Sequence, residues 1–239
     1  VMFLPHPNGV IQALDPTNGD VIWEYRRDLP SDLSEIVGLS DITRNLALYE
    51  DKLYYSSNDG FMVAIDAATG QVAWETQVYD FRENPTRQTS GPIVANGKVF
   101  AGRSCDCSAG PEACFLTAHD AESGEELWRF YTIPRDGEFG DETWGDVPYE
   151  TRGHVGSWMV PSYDPELNLV YFGTSVTSPY AKYTMGDTDD DYLFHTSTLA
   201  LDGDTGELVW YFQHIRDHWD LDHPFERLLV DTAVAPDPE

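Results

Sequence analysis

Cys105, Cys107 and Cys114 stand within ten residues of one another, the only cysteines in 239 residues. Oxidation can join Cys114 to Cys105 or to Cys107, closing a small loop and leaving one thiol over. Zinc is the competing chemistry, with His119 the nearest further ligand. His119 falls inside a repeated segment, however, where it is expected to fill a strand position. Carboxylates are the second reactive class. The chain carries 42 acidic and 14 basic residues, a formal net charge of -28. Such a surface suits cations, basic partner proteins or a salty medium, or serves solubility alone. It argues against nucleic acid, because phosphate binding needs clustered Lys and Arg.

The elements that must position these groups are written in a motif that occurs four times, Ala-x-Asp-x-x-x-Gly-x-x-x-Trp. Its copies run from Ala13, Asp15 and Gly19 to Trp23, and from Ala64, Asp66 and Gly70 to Trp74. They recur from Ala118, Asp120 and Gly124 to Trp128, and from Ala200, Asp202 and Gly206 to Trp210. Each copy predicts a β-hairpin. An apolar strand ends at Asp, the Asp carboxylate accepts backbone N–H bonds, and Gly takes the positive φ of the turn. The closing indole is placed to pack one sheet onto the next. The tryptophans are 51, 54 and 82 residues apart. A fixed period of this kind means an array or a propeller, and the third interval holds about 30 extra residues. The four indoles are expected at equivalent, largely buried places in successive four-stranded blades.

Along the chain, the first module covers 1–25 and a polar connection 26–45. Strands are expected at 46–50 and 52–56, hairpins at 61–76 and at 93–102 around Asn96-Gly97, the cysteine loop at 103–114 and the third repeat at 115–131. An insertion at 132–160 is rich in Gly, Asp, Glu and Trp. Strands at 157–163 and 169–175 follow, then an irregular stretch at 176–195, the fourth repeat at 196–213 and a loop-like tail at 214–239. No helix is expected. No run is apolar and long enough to cross a membrane. No signal peptide is visible, and Val1-Met2-Phe3-Leu4 already reads as strand, so the protein's beginning is expected to lie outside the chain.

These residues resemble the quinoprotein alcohol dehydrogenases, the methanol and ethanol dehydrogenase type that uses pyrroloquinoline quinone. The resemblance rests on the four tryptophan-docking repeats, on Gly156-Ser157-Trp158 through Phe172-Gly173-Thr174, and on His218-Trp219-Asp220-Leu221-Asp222. It covers essentially the whole chain. It implies an all-β fold, an eight-bladed propeller of which residues 1–239 form about four blades, roughly the first half.

The resemblance also implies a site. Trp158 matches the indole on which the quinone stacks, a fit of one flat π face to another. Arg44 matches the arginine that pairs with a quinone carboxylate, for which a guanidinium fork is suited. Thr89 matches a hydroxyl that hydrogen-bonds the cofactor. Asp220 matches the catalytic aspartate, the base that removes the alcohol proton as hydride moves to the quinone. Asp222 matches an extra acid of the lanthanide-using branch, since more anionic oxygens favour a hard trivalent ion. Calcium or a lanthanide would be held by Asp220, Asp222 and a glutamate of the cysteine loop, Glu112, with Asp106 as competitor. Two departures stand out. Val176 occupies the place of a metal-binding asparagine, and Glu35-Ile36-Val37-Gly38 stands where an adjacent cysteine pair is expected. The implied activity is alcohol oxidation in the periplasm with electrons passed to a cytochrome c, a homodimer being a further partner and a haem domain a further part of the protein. The alternatives are a non-catalytic propeller scaffold, or an enzyme-derived propeller with a degenerate metal site. Trp158 and the Asp220-Leu221-Asp222 run favour the enzyme, because a scaffold has no use for them on inserted loops.

Overall fold

A computed structural model describes residues 1–105, 109–178, 184, 189–216 and 219–231. The third cysteine, Cys107, lies outside these residues, as do Asp106 and His218. The chain folds as an arc of four antiparallel sheets taken in sequence order. The first has three strands, β1 (Met2–His6), β2 (Val10–Leu14) and β3 (Val21–Arg26), where four were expected. The second is β4 (Ala47–Tyr49), β5 (Lys52–Ser56), β6 (Phe61–Asp66) and β7 (Val72–Gln77). The third is β8 (Ile93–Ala95), β9 (Lys98–Ala101), β10 (Phe115–Asp120) and β11 (Glu126–Tyr131). The fourth is β12 (Ser162–Asp164), β13 (Leu169–Gly173), β14 (Ser197–Asp202) and β15 (Leu208–Gln213). This is the propeller architecture that the repeats predict, one motif hairpin to a sheet.

Each motif closes its hairpin by the same kind of bonds. Oδ1 of Asp66 accepts the Thr69 N–H at 2.7 Å and the Thr69 hydroxyl at 2.7 Å. Asp120 does the same with Ser123 and Asp202 with Thr205, while Asp15 bonds Thr17, two residues on instead of three. These donated bonds hold all four carboxyls below the usual range. A bulge falls between Ala and the following residue in every copy, which turns the outer strand toward the next blade.

The indoles then couple the sheets. Trp23 Nε1 donates to the Ala67 carbonyl (3.1 Å), Trp74 Nε1 to Ala121 (3.0 Å) and Trp128 Nε1 to Gly203 (3.2 Å). Each acceptor directly follows the Asp of the next motif, and each indole lies against that motif's Gly: Gly70, Gly124 and Gly206 in turn. The expectation of uniform burial needs correcting. Trp128 is 8% exposed, Trp23 and Trp74 are half-buried, and Trp210 is 44% exposed, with no further sheet packed on it among the described residues. Apolar clusters fill each space between sheets, for example Ile11, Leu53, Val63 and Ile65 between the first two.

The loops depart from expectation in two further places. One helical turn, α1 (Leu33–Ile36), stands in the 26–45 connection, where Leu33 and Val37 anchor it in the core between the second and third sheets. The strand expected from 157 begins only at Ser162, because residues 156 and 157 bond to the segments just beyond β13 and β9 instead.

The long insertion is a structured annex. Trp144 is fully buried and donates Nε1–H to the Leu193 carbonyl at 2.5 Å. It packs with Ile133, Val155, Tyr192 and a Cys105–Cys114 disulfide. His119 is buried within β10, its Nδ1 3.3 Å from the Gly124 carbonyl, and fills a strand position as expected. The disulfide closes a separation of nine residues. Replacing both cysteines by serine is expected to cost about 2–3 kcal/mol of unfolding free energy. Parallel denaturant titrations of the two proteins measure it, and an unchanged midpoint refutes it.

Candidate functional site

Three loops carry the candidate residues. The first carries Trp158. Ser157 N–H donates to the Arg103 carbonyl beyond β9 at 2.7 Å, and Gly156 N–H donates to Ser175 Oγ beyond β13 at 2.8 Å. The second carries Arg44. Its Nη1 donates to the Thr89 carbonyl at 3.2 Å, and Asn45 Nδ2 donates to the Pro92 carbonyl at 2.9 Å. The third is the 219–231 tail, where His223 N–H donates to the Thr174 carbonyl at 3.1 Å. That approach passes directly over Gly173, where a Cβ would overlap the His223 carbonyl. A residue without a side chain is needed there.

The loops meet at Trp158. The Arg44 guanidinium lies over the indole, 4.9 Å from the ring centroid. Trp158 Nε1 donates to Asp222 Oδ2 at 2.8 Å, and the Val176 N–H donates to Asp222 Oδ1 at 2.9 Å. Phe225 meets the indole edge-on at 6.0 Å. Thr89 is buried. Arg44, Thr89, Trp158 and Asp222, far apart in sequence, are therefore linked by direct contacts. Asp220 stands two residues before Asp222, exposed, with a left-handed φ of +50°. Asp tolerates that backbone better than most residues.

Packing against its surroundings lowers the Arg44 pKa from its ordinary value, but a guanidinium stays charged throughout the physiological range. Burial, then Arg227, lowers the His223 pKa too, so that ring is neutral at pH 7. A guanidinium resting on a half-buried indole brings together a cation and a π face, the two groups that recognise a flat aromatic anion.

A metal is a different matter. Glu112 accepts from Arg135 Nη2 at 2.7 Å and from the Tyr149 hydroxyl at 2.7 Å. Arg135 above all holds its carboxyl below the usual range. Both Asp222 oxygens accept N–H bonds, and Val176 offers no side-chain donor. Among the described residues no three His, Cys, Asp or Glu side chains gather, so Glu112, Asp220 and Asp222 do not form a ready carboxylate cage, and the residues present do not fit a metal by themselves. Two contributors carried no sequence signal. Val176 acts through its backbone N–H, which any residue but proline supplies, and Phe225 lies in a tail without periodicity.

The family model described as "PQQ: Glucose/ethanol/alcohol dehydrogenase, beta-propeller domain" matches residues 1–237. The quinohemoprotein alcohol dehydrogenase ADH-IIG of Pseudomonas putida is 34% identical over 98% of this chain and 34% of its own length. Its solved structure superposes with a TM-score of 0.79 at 34% identity, covering 91% of this chain and 33% of that one. A europium-containing methanol dehydrogenase superposes with a TM-score of 0.74 at 25% identity, covering 89% of this chain and 40% of that one. The chain thus spans about a third of the length of the curated relatives it matches. With its docking repeats, its Trp158 loop and the match along nearly its full length, the chain belongs to the PQQ-dependent glucose/ethanol/alcohol dehydrogenase β-propeller family.

Proposed function

We propose that the chain forms part of a quinoprotein dehydrogenase that oxidises a primary alcohol or related substrate. The observation that carries this reading is the convergence of Arg44, Thr89, Trp158 and the Asp220–Asp222 loop. Bound pyrroloquinoline quinone supplies a two-electron hydride acceptor. Trp158 would offer it a stacking platform, and Arg44, which covers the indole here, would pair with a quinone carboxylate once displaced from the ring. Asp220 accepts the hydroxyl proton of the substrate as the C–H bond breaks, which requires an ionised carboxylate facing the alcohol. In this reading electrons leave for a cytochrome c in the periplasm. The Cys105–Cys114 disulfide is consistent with an oxidising compartment. No step here depends on calcium or a lanthanide.

Reconstitution of the full-length protein tests the reading. Incubated with quinone and desalted, it is expected to retain quinone absorption and to reduce a dye when alcohol is added. Arg44→Ala is expected to weaken quinone binding about 10- to 100-fold, the loss of a charge-assisted pair. Quinone that fails to bind the wild type, with calcium or a lanthanide supplied, returns the chain to the scaffold reading.

A further inference from the structure

We infer that Asp222 is the positioning residue of Trp158, fixing the plane of the indole and its distance from Asp220. Its carboxylate spans three chain segments: Oδ2 takes the indole N–H at 2.8 Å and Oδ1 the Val176 N–H at 2.9 Å. A bond to an ionised acceptor is shorter and stronger than a neutral one, so rotation of the ring about its side-chain torsions breaks the best contact it has. Phe225, three residues on, closes the indole edge. The tail is itself tied down on either side of that point. His223 N–H reaches the Thr174 carbonyl at 3.1 Å, and Arg227 N–H reaches Ser162 Oγ at 2.7 Å. Val176, unsuited to bind a cation, needs only its backbone N–H for this task, and its apolar side chain is fully buried. Asp222 is thus the link between the platform and the residue two positions earlier. The part concerning Trp158 stands on geometry alone, and the part concerning cofactor affinity rests on the quinone reading above.

Asp222→Asn is the sharp test. The amide is isosteric, but its NH₂ must face one of the two N–H groups, so one bond is lost and two donors are opposed. The full-length protein is studied with a chelator present, so that a metal-ligand role is silent. Expected are a change in near-UV circular dichroism on the same bands that Trp158→Phe removes, and quinone affinity lower by about 10- to 100-fold. The far-UV spectrum and melting temperature stay as in the wild type, because the bond lies outside the sheet cores. Asp222→Ala, which removes both acceptors, should shift the same bands with a loss at least as large. Unchanged indole bands in both variants overturn the proposal, as does an affinity that falls only when calcium or a lanthanide is supplied. Should the wild type bind no quinone at all, the indole bands still decide the positioning role, so the two readings fail separately.

Discussion

Asp220→Asn in the full-length protein is expected to lower dye-linked alcohol oxidation by about 10²- to 10⁴-fold, the range spanned by removal of a general base. The amide keeps the size of the carboxylate and its ability to accept a hydrogen bond, but it takes up no proton at neutral pH. Substrate binding should therefore persist while the proton-transfer step fails, so kcat falls and KM moves little. Asp220 is exposed and contributes to no apolar cluster, so the melting temperature should not follow the activity. The indole contact is made by Asp222 instead, which predicts that the variant still takes up quinone with wild-type affinity. Undiminished turnover would remove Asp220 from the chemistry. Joint loss of turnover and quinone would show that the substitution had disturbed the loop rather than the base.

The blade architecture was legible from sequence because its determinants are local and repeated. Asp, the turn Gly and Trp act within one hairpin and its neighbour, so their spacing encodes both the turn and the contact to the next sheet. The exposure of Trp210 escaped that logic, since burial of a docking indole depends on a sheet that must follow it. Loop residues were legible only through resemblance. Arg44, Thr89, Trp158 and Asp222 lie on separate segments with no common period, and only the fold brings them together. Glu112 illustrates the limit. The resemblance implies that Glu112 is a cation ligand, but Arg135, folded back from the insertion, donates to both of its oxygens. The helical turns, Leu33–Ile36 and the 3-10 turns Pro111–Ala113, Asp141–Trp144 and Tyr149–Thr151, were too short to leave a periodic trace.

The steepest loss of stability is expected at Trp128. Its indole is 8% exposed, donates to the Gly203 carbonyl at 3.2 Å and lies tilted against Phe100, centroids 6.0 Å apart, between the third and fourth sheets. Trp128→Ala should cost about 3–5 kcal/mol, the range for deleting a large buried aromatic. Gly206 faces the same ring. It has a φ of +73°, and a Cβ built there would lie 2.5 Å from the indole. Gly206→Ala therefore adds a steric overlap to a backbone strain of about 1–3 kcal/mol. In the double variant the ring is gone and only the strain remains. The two losses should then sum to more than the double variant shows, a coupling of about 1–3 kcal/mol for residues in contact. Chemical denaturation of the wild type, the two single variants and the double variant measures this cycle. Strict additivity would mean that Trp128 and Gly206 do not press on one another, and that the repeated Gly serves its own turn rather than the docking of the preceding blade's indole.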